Sequence, residues 1–259
     1  MRNPHRLALV SSLLSLLPSL FLCVGARAAW AQDDDNRANC VGLPTADQLT
    51  QLLTEAPTHR GTPLGSAGGL FGGTRMWAAV VNRSGQVCAV ATSTADATQV
   101  WPGSQAIAKA KAYTANAFSL DGLALSTAML YTFTQPGHSL WGLNQSNLFN
   151  PKFLAPPTGS DEGTGRIAGG IITFGGGVPL YSGSHIVGGL GISGDTACTD
   201  HEIAKRVRDE AGMNPPGGAT VDDISYSSKD GPSVFTHPLC PNTYRNGVKI
   251  GDEAKATGY

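Results

Sequence analysis

The sequence contains no Cys-x-x-Cys-His run, so covalent attachment of a c-type haem is excluded. No two histidines or carboxylates stand at metal-ligand spacing, and no metal site is expected. Positive charge is scarce as well. The 18 basic residues lose Arg2, Arg6 and Arg27 if the first 31 residues are removed, leaving 15 against 19 acidic ones and a formal charge of −4. That sign does not suit nucleic acid. Cysteine is also rare, with five residues in 259.

The longest apolar stretch is N-terminal. Arg2 and Arg6 make a basic start, Leu7 to Val24 an apolar run, and Ala29-Trp30-Ala31 a small-x-small cleavage site, which together describe a secretory signal peptide over residues 1–31. The chain is expected to be periplasmic or secreted, with no stable membrane insertion after cleavage; an uncleaved anchor is the competing reading. Cleavage leaves Cys40, Cys88, Cys198 and Cys240, an even number that reads as two disulfides with three connectivities open. Closure of the shorter loops favours Cys40 with Cys88 and Cys198 with Cys240.

Residues 32–43 form a polar leader containing three consecutive aspartates. Thr45 and Gln48 stand in capping-box position for a helix to about Ala56, and the glycine-rich stretch 61–73 reads as a mobile loop. Met76 to Val81 and Gln86 to Ala91 make a hairpin across Asn82-Arg-Ser-Gly85. Ala106, Ala110, Tyr113 and Ala117 place one methyl-rich face on a helix over 104–118. A short helix over Leu123 to Tyr131 leads into a long loop, 132–165. Three strands follow at Ile171 to Phe174, Val178 to Tyr181 and Ile186 to Ile192, and then a helix capped at Thr199. Residues 213–259 read as a Gly/Pro-rich polar tail held mainly by Cys240.

Gly189-Leu-Gly191-Ile-Ser-Gly194 spells the dinucleotide-binding fingerprint. Its strand is, however, the second arm of a hairpin, and the expected helix cap lies five residues past the last glycine. Only 65 residues remain after it, so a nucleotide site is not expected. Aspartate at 195 also breaks the nucleophile-elbow pattern around Ser193. The glycines are read instead as close packing of a strand against a helix or a ligand.

Four segments in order carry a family resemblance: Val80-Val-Asn-Arg-Ser-Gly85, the Ala-Ile-Ala-Lys-Ala-Lys-Ala-Tyr-Thr-Ala run at 106–115, Gly175-Gly-Gly-Val-Pro179, and Ile186 to Gly194. Over residues 44–212 the sequence resembles the GlcG/HbpS family, also called haem-degrading or DUF336. The resemblance implies an α/β fold, profilin-like, with three α/β/α layers and a five-stranded, largely antiparallel sheet. It also implies a homo-oligomer and, in exported members, haem as cofactor. Asn82 stands where the family often has aspartate, and the long loop and cysteines are additions.

The family's haem-contacting threonine aligns with Thr114. The expected cofactor-binding set is Thr114, Lys111, His138, Trp101, Tyr113 and Gly191, around a cleft between helix 104–118, the glycine-rich strand end and loop 132–165. The competing readings are Lys111 snorkelling to solvent and Thr114 bonding back to its own helix. His185 and His201 are expected at the surface, and Asp195 and Asp200 as helix caps. No catalytic residue is assigned. Other functions left open are a binding protein or enzyme for a small hydroxy-acid or aldehyde metabolite, with Lys111 as anion clamp, and a partner module of a periplasmic oxidoreductase or sensor.

Overall fold

A computed structural model describes residues 39–153, 164–255 and 257; the signal-peptide expectation lies outside the described residues. The main sheet contains β1 (Trp77–Asn82), β2 (Val87–Thr92), β3 (Gly177–Ser182) and β4 (His185–Ser193) in the order β2-β1-β4-β3, every pair antiparallel. Alternation along β1 sends Ala78 and Val80 to one face and Trp77, Ala79 and Val81 to the other. The first face packs on Leu49 and Leu53 of α1 (Ala46–Glu55) and on Ile203, Ala204 and Val207 of α3 (Ala197–Glu210). The second packs on Ala108 and Ala112 of α2 (Ser104–Phe118). Helices thus cover both faces, and all of β1 is buried.

Among the described residues the sheet has four strands rather than five. Ile171 to Phe174 joins no ladder, because neighbouring side chains take its backbone groups: the Ile172 N–H donates to Thr114 Oγ1 and the Thr127 hydroxyl donates to the Phe174 carbonyl. Nor does 123–131 form an α-helix. Leu120 and Leu123 exchange both backbone hydrogen bonds, which closes a tight turn, and only a 3-10 turn at Thr127–Leu130 follows. The capping box at Thr45 and Gln48 is present on α1. In α3 the cap is Thr196, not Thr199, since Thr196 has extended backbone and its hydroxyl accepts from the Thr199 N–H.

Glycines 189 and 191 set how close α2 can lie. A Cβ on Gly189 would stand 2.2 Å from the Ala112 carbonyl oxygen, and one on Gly191 2.0 Å from that of Ala108. Methyl-sized helix residues over glycine strand residues let the two backbones touch. Gly191→Ala is therefore expected to push α2 off the sheet and cost about 1–3 kcal/mol, the usual penalty for overpacking. Urea denaturation measures it, and a variant as stable as the parent would refute this account of the glycines.

The segment after α3 is folded onto the domain by more than one bond. It contains α4 (Ser227–Asp230) and a hairpin of β5 (Thr243–Arg245) and β6 (Val248–Gly251). Disulfides join Cys40 to Cys88 and Cys198 to Cys240. Arg208 pairs with Asp222 at 2.6 Å, Lys205 with Asp223 at 2.7 Å, and Arg245 with Asp230 at 2.6 Å. This covering segment explains why the charged helix α3 is buried over Cys198 to Arg208. No described helix is long and apolar enough to cross a membrane.

Candidate functional site

The last glycine of the fingerprint, with the residue after it, holds a carboxylate of the protein itself. Asp200, in the first turn of α3, accepts from the Gly194 N–H at 3.1 Å and the Asp195 N–H at 2.9 Å through one oxygen. Its other oxygen meets Lys111 Nζ of α2 at 2.7 Å, and the same ammonium donates to the Ile192 carbonyl at 2.9 Å. Both side chains are enclosed, and Phe174 lies 4.9 Å from the ammonium. Burial pushes the Asp200 carboxyl up to about 6, with Lys111 pulling against it. Burial likewise lowers Lys111, opposed by the charge of Asp200. Lys111 therefore does not snorkel to solvent; it locks the end of β4 to α2 and α3. Asp195 is no simple cap either, since it accepts from the N–H groups of Leu70, Phe71 and Gly73 and so ties down the glycine-rich loop read as mobile.

The expected cleft is divided in two. Under loop 143–149 a cleft of about 230 Å³ is lined by Ala106, Ile107 and Ala110 of α2 opposite Phe149 and Ile172. Thr114 sits at its base, donating to the Ala110 carbonyl at 2.7 Å and accepting from the Ile172 N–H at 3.0 Å. Just before the N-terminus of α2, a second cleft of about 180 Å³ is bounded by Phe71, Arg75, Val100, Trp101, Pro102 and Gly194. Phe71 meets Trp101 edge-on with ring centroids 5.6 Å apart, and the Arg75 guanidinium stands 5.1 Å from the centre of the Phe71 ring. Trp101 is 49% exposed, so its ring faces both the cleft and solvent. Arg75 forms no ion pair among the described residues, and the first N–H groups of α2, at Ser104 and Gln105, donate to the Trp101 and Pro102 carbonyls in place of a side-chain cap.

The six sequence-predicted residues do not converge. Trp101 belongs to the second cleft, Thr114 to the base of the first, and Lys111 to the buried pair. Gly191 is pressed against α2, and Tyr113 packs over the hairpin turn at Gly85. His138 is exposed and lines neither cleft. Phe71 and Arg75 went unrecognised, although an aromatic and a cation bracketing Gly72-Gly73 are a readable signal.

Behind the β4 end lies a buried polar cluster. His201, expected at the surface, is enclosed, with neither ring nitrogen hydrogen-bonded and Asp223 Oδ1 3.6 Å away. Burial opposes ionisation of Asp223, but His201 and Lys205 hold its carboxyl well below the usual range. His237 faces the Pro238 carbonyl through Nδ1 at 2.7 Å and the Gly175 N–H through Nε2 at 3.3 Å, so the proton belongs on Nδ1. Burial pushes its imidazole down to about 4.

A three-layer α/β/α domain with a glycine-packed central strand and a cleft at its end defines the class. The family model described as "Haem degrading protein HbpS-like" matches residues 66–209, and the chain belongs to this HbpS-like family. Among solved structures the chain is similar to PduOC in its haem complex, at 25% identity and a TM-score of 0.41 over 61% of this chain and 88% of that one. It is also similar to protein ORFY of Klebsiella pneumoniae, at 18% identity and a TM-score of 0.39 over 76% and 98%. No curated protein matches the chain.

Proposed function

We propose that the protein binds haem, as its family's description suggests, in the cleft of Phe71, Arg75 and Trp101. The observation that carries this reading is the Arg75 guanidinium, without an ion pair among the described residues, over the Phe71 ring that meets the half-exposed Trp101 edge-on. A flat apolar macrocycle suits the exposed face of Trp101, and a propionate suits Arg75. Haem would supply redox chemistry at its iron when bound. The lining offers no imidazole, thiolate, thioether or phenolate, so this chain's residues are assigned only the plane and the carboxylates. The α2–loop cleft suits haem less well, because the Thr114 hydroxyl is committed to backbone on both sides. Two disulfides are compatible with an oxidising compartment, and the proposed export rests on the N-terminal segment.

Titration with haemin tests this. Trp101→Ala and Arg75→Ala are each expected to weaken binding about tenfold, the equivalent of one aromatic or charge-assisted contact. Thr114→Ala should leave the titration unchanged while costing about 1–2 kcal/mol of stability, since the buried Ile172 N–H loses its acceptor. Metal-free protoporphyrin should bind within about threefold of haemin, because no strong axial ligand is lost. Haemin that saturates without a spectral shift, or that binds Trp101→Ala as tightly as the parent, removes the proposal.

A further inference from the structure

The Cys198–Cys240 disulfide is not alone in its buried pocket. The two Sγ atoms and a ring nitrogen of His237 all lie within 4.8 Å of one another, and all three residues are buried. We propose that reduction of this disulfide creates a binding site for a soft divalent cation, with Zn²⁺ the natural match, ligated by Cys198 Sγ, Cys240 Sγ and His237 Nε2.

Three features prepare these groups for a metal. The His237 ring is held by Nδ1–H donating to the Pro238 carbonyl, which directs the Nε2 lone pair away from that bond. A backbone carbonyl on the far nitrogen is the arrangement that orients imidazole ligands at metal centres. Nε2 accepts from the Gly175 N–H at 3.3 Å, a long bond that the metal would replace. Cys198 is the second residue of α3, where the helix N-terminus stabilises a thiolate, and its own N–H points at Cys240 Sγ at 3.1 Å. Tetrahedral zinc, with Zn–S of about 2.3 Å and Zn–N of about 2.0 Å, places its ligand atoms roughly 3.5–3.8 Å apart. The two sulfurs must therefore separate from their bonded distance, and all three ligand atoms start within 4.8 Å of one another.

The covering segment keeps the ligands together once the bond is gone. Asp222 and Asp223 still pair with Arg208 and Lys205 of α3, the His237 N–H still donates to the Ser225 carbonyl, and the Cys240 N–H to Thr243 Oγ1. The reductant is a dithiol. Its thiolate attacks Cys240 Sγ, the more exposed sulfur, and the Cys198 thiolate leaves toward the helix N-terminus. The second thiol of the reductant then displaces Cys240, so that two electrons enter the protein and the reductant ends as a disulfide. Zinc binding releases the remaining thiol protons.

Cobalt(II) is the probe, applied to the full mature chain with and without a phosphine reductant. The reduced protein is expected to take up one equivalent with a thiolate-to-cobalt charge-transfer band that Zn²⁺ removes, and the oxidised protein to show no such band. Zn²⁺ should also raise the thermal midpoint of the reduced form alone. His237→Ala should weaken cobalt binding at least about tenfold, with near-UV circular dichroism of its oxidised form checking the fold. If that variant does not fold, the nitrogen-15 resonances of His237 in the reduced wild type decide, since zinc must move Nε2 and not Nδ1. Absence of the band, or an unmoved Nε2, overturns the site.

Discussion

Replacing Asp222 with Ala is expected to cost about 3–5 kcal/mol, the range for removing one partner of a buried ion pair. Asp222 and Arg208 are both fully enclosed, and the carboxylate takes both ends of the guanidinium at 2.6 and 2.7 Å. Arginine cannot escape by losing its proton. Without Asp222 it would keep only the carbonyls of Pro179 and Ala219, and its Nε already lacks a partner. Two elements would loosen together, because this pair joins α3 to the 214–223 segment and touches β3 through Pro179. Guanidinium denaturation of Asp222→Ala and of the doubly substituted Arg208→Met/Asp222→Leu measures the effect. The double variant should regain most of the loss, since apolar side chains of similar volume often replace such pairs without penalty. A single variant within about 1 kcal/mol of the parent would show that water reaches the pair.

The same pair marks where sequence reading stopped. Signals carried by neighbouring residues were legible: the Thr45–Gln48 capping box, the hairpin across Asn82 to Gly85, and the methyl face of 104–118 with the glycines it packs on. Partners far apart in the chain left no spacing to read. Lys111 and Asp200 are 89 residues apart, so Lys111 looked like a snorkelling helix residue and Asp200 like a cap. Asp222 and Asp223 sat in a stretch whose composition suggested a solvated tail, yet they answer the cations of α3. Ile171 to Phe174 has the apolar pattern of a strand, and only the hydroxyls of Thr114 and Thr127, brought in by other segments, deny it a ladder. Asn246-Gly247 is a local hairpin signal, both residues lying at positive φ, and composition alone hid β5 and β6. Of the residues lining the proposed cleft, Trp101 was among those singled out, but Arg75 and Phe71 belong to a glycine loop whose fastenings, Asp195 and Asn242, are distant in the chain.

Lys111→Met is expected to destabilise the domain by about 3 kcal/mol near neutral pH, at the lower end of the range for a broken buried pair. The reason is that Asp200 can respond where Arg208 could not. Its folded value of about 6 already lies above the ordinary 3.8, and removing the ammonium lets it rise further, so the carboxyl becomes neutral. It then keeps the Gly194 and Asp195 N–H groups as partners but binds them less strongly. The sign of the pH dependence follows. For an acid raised on folding, the stabilising contribution is complete below the unfolded value and is lost as pH rises through the folded one. In the parent that loss falls between about 3.8 and about 6, and in Lys111→Met it extends to higher pH. The penalty of the substitution should therefore be smaller at about pH 5 than at about pH 8, when denaturation midpoints are compared at both. Lys111→Met/Asp200→Asn should lose this pH dependence and cost less than the two single changes added together. Equal penalties at the two pH values would mean that the pair is not ionised in the folded protein. Haemin affinity unchanged in Lys111→Met would separate this lock from the Arg75 cleft, whereas a loss beyond that caused by Arg75→Ala would return Lys111 to the ligand site.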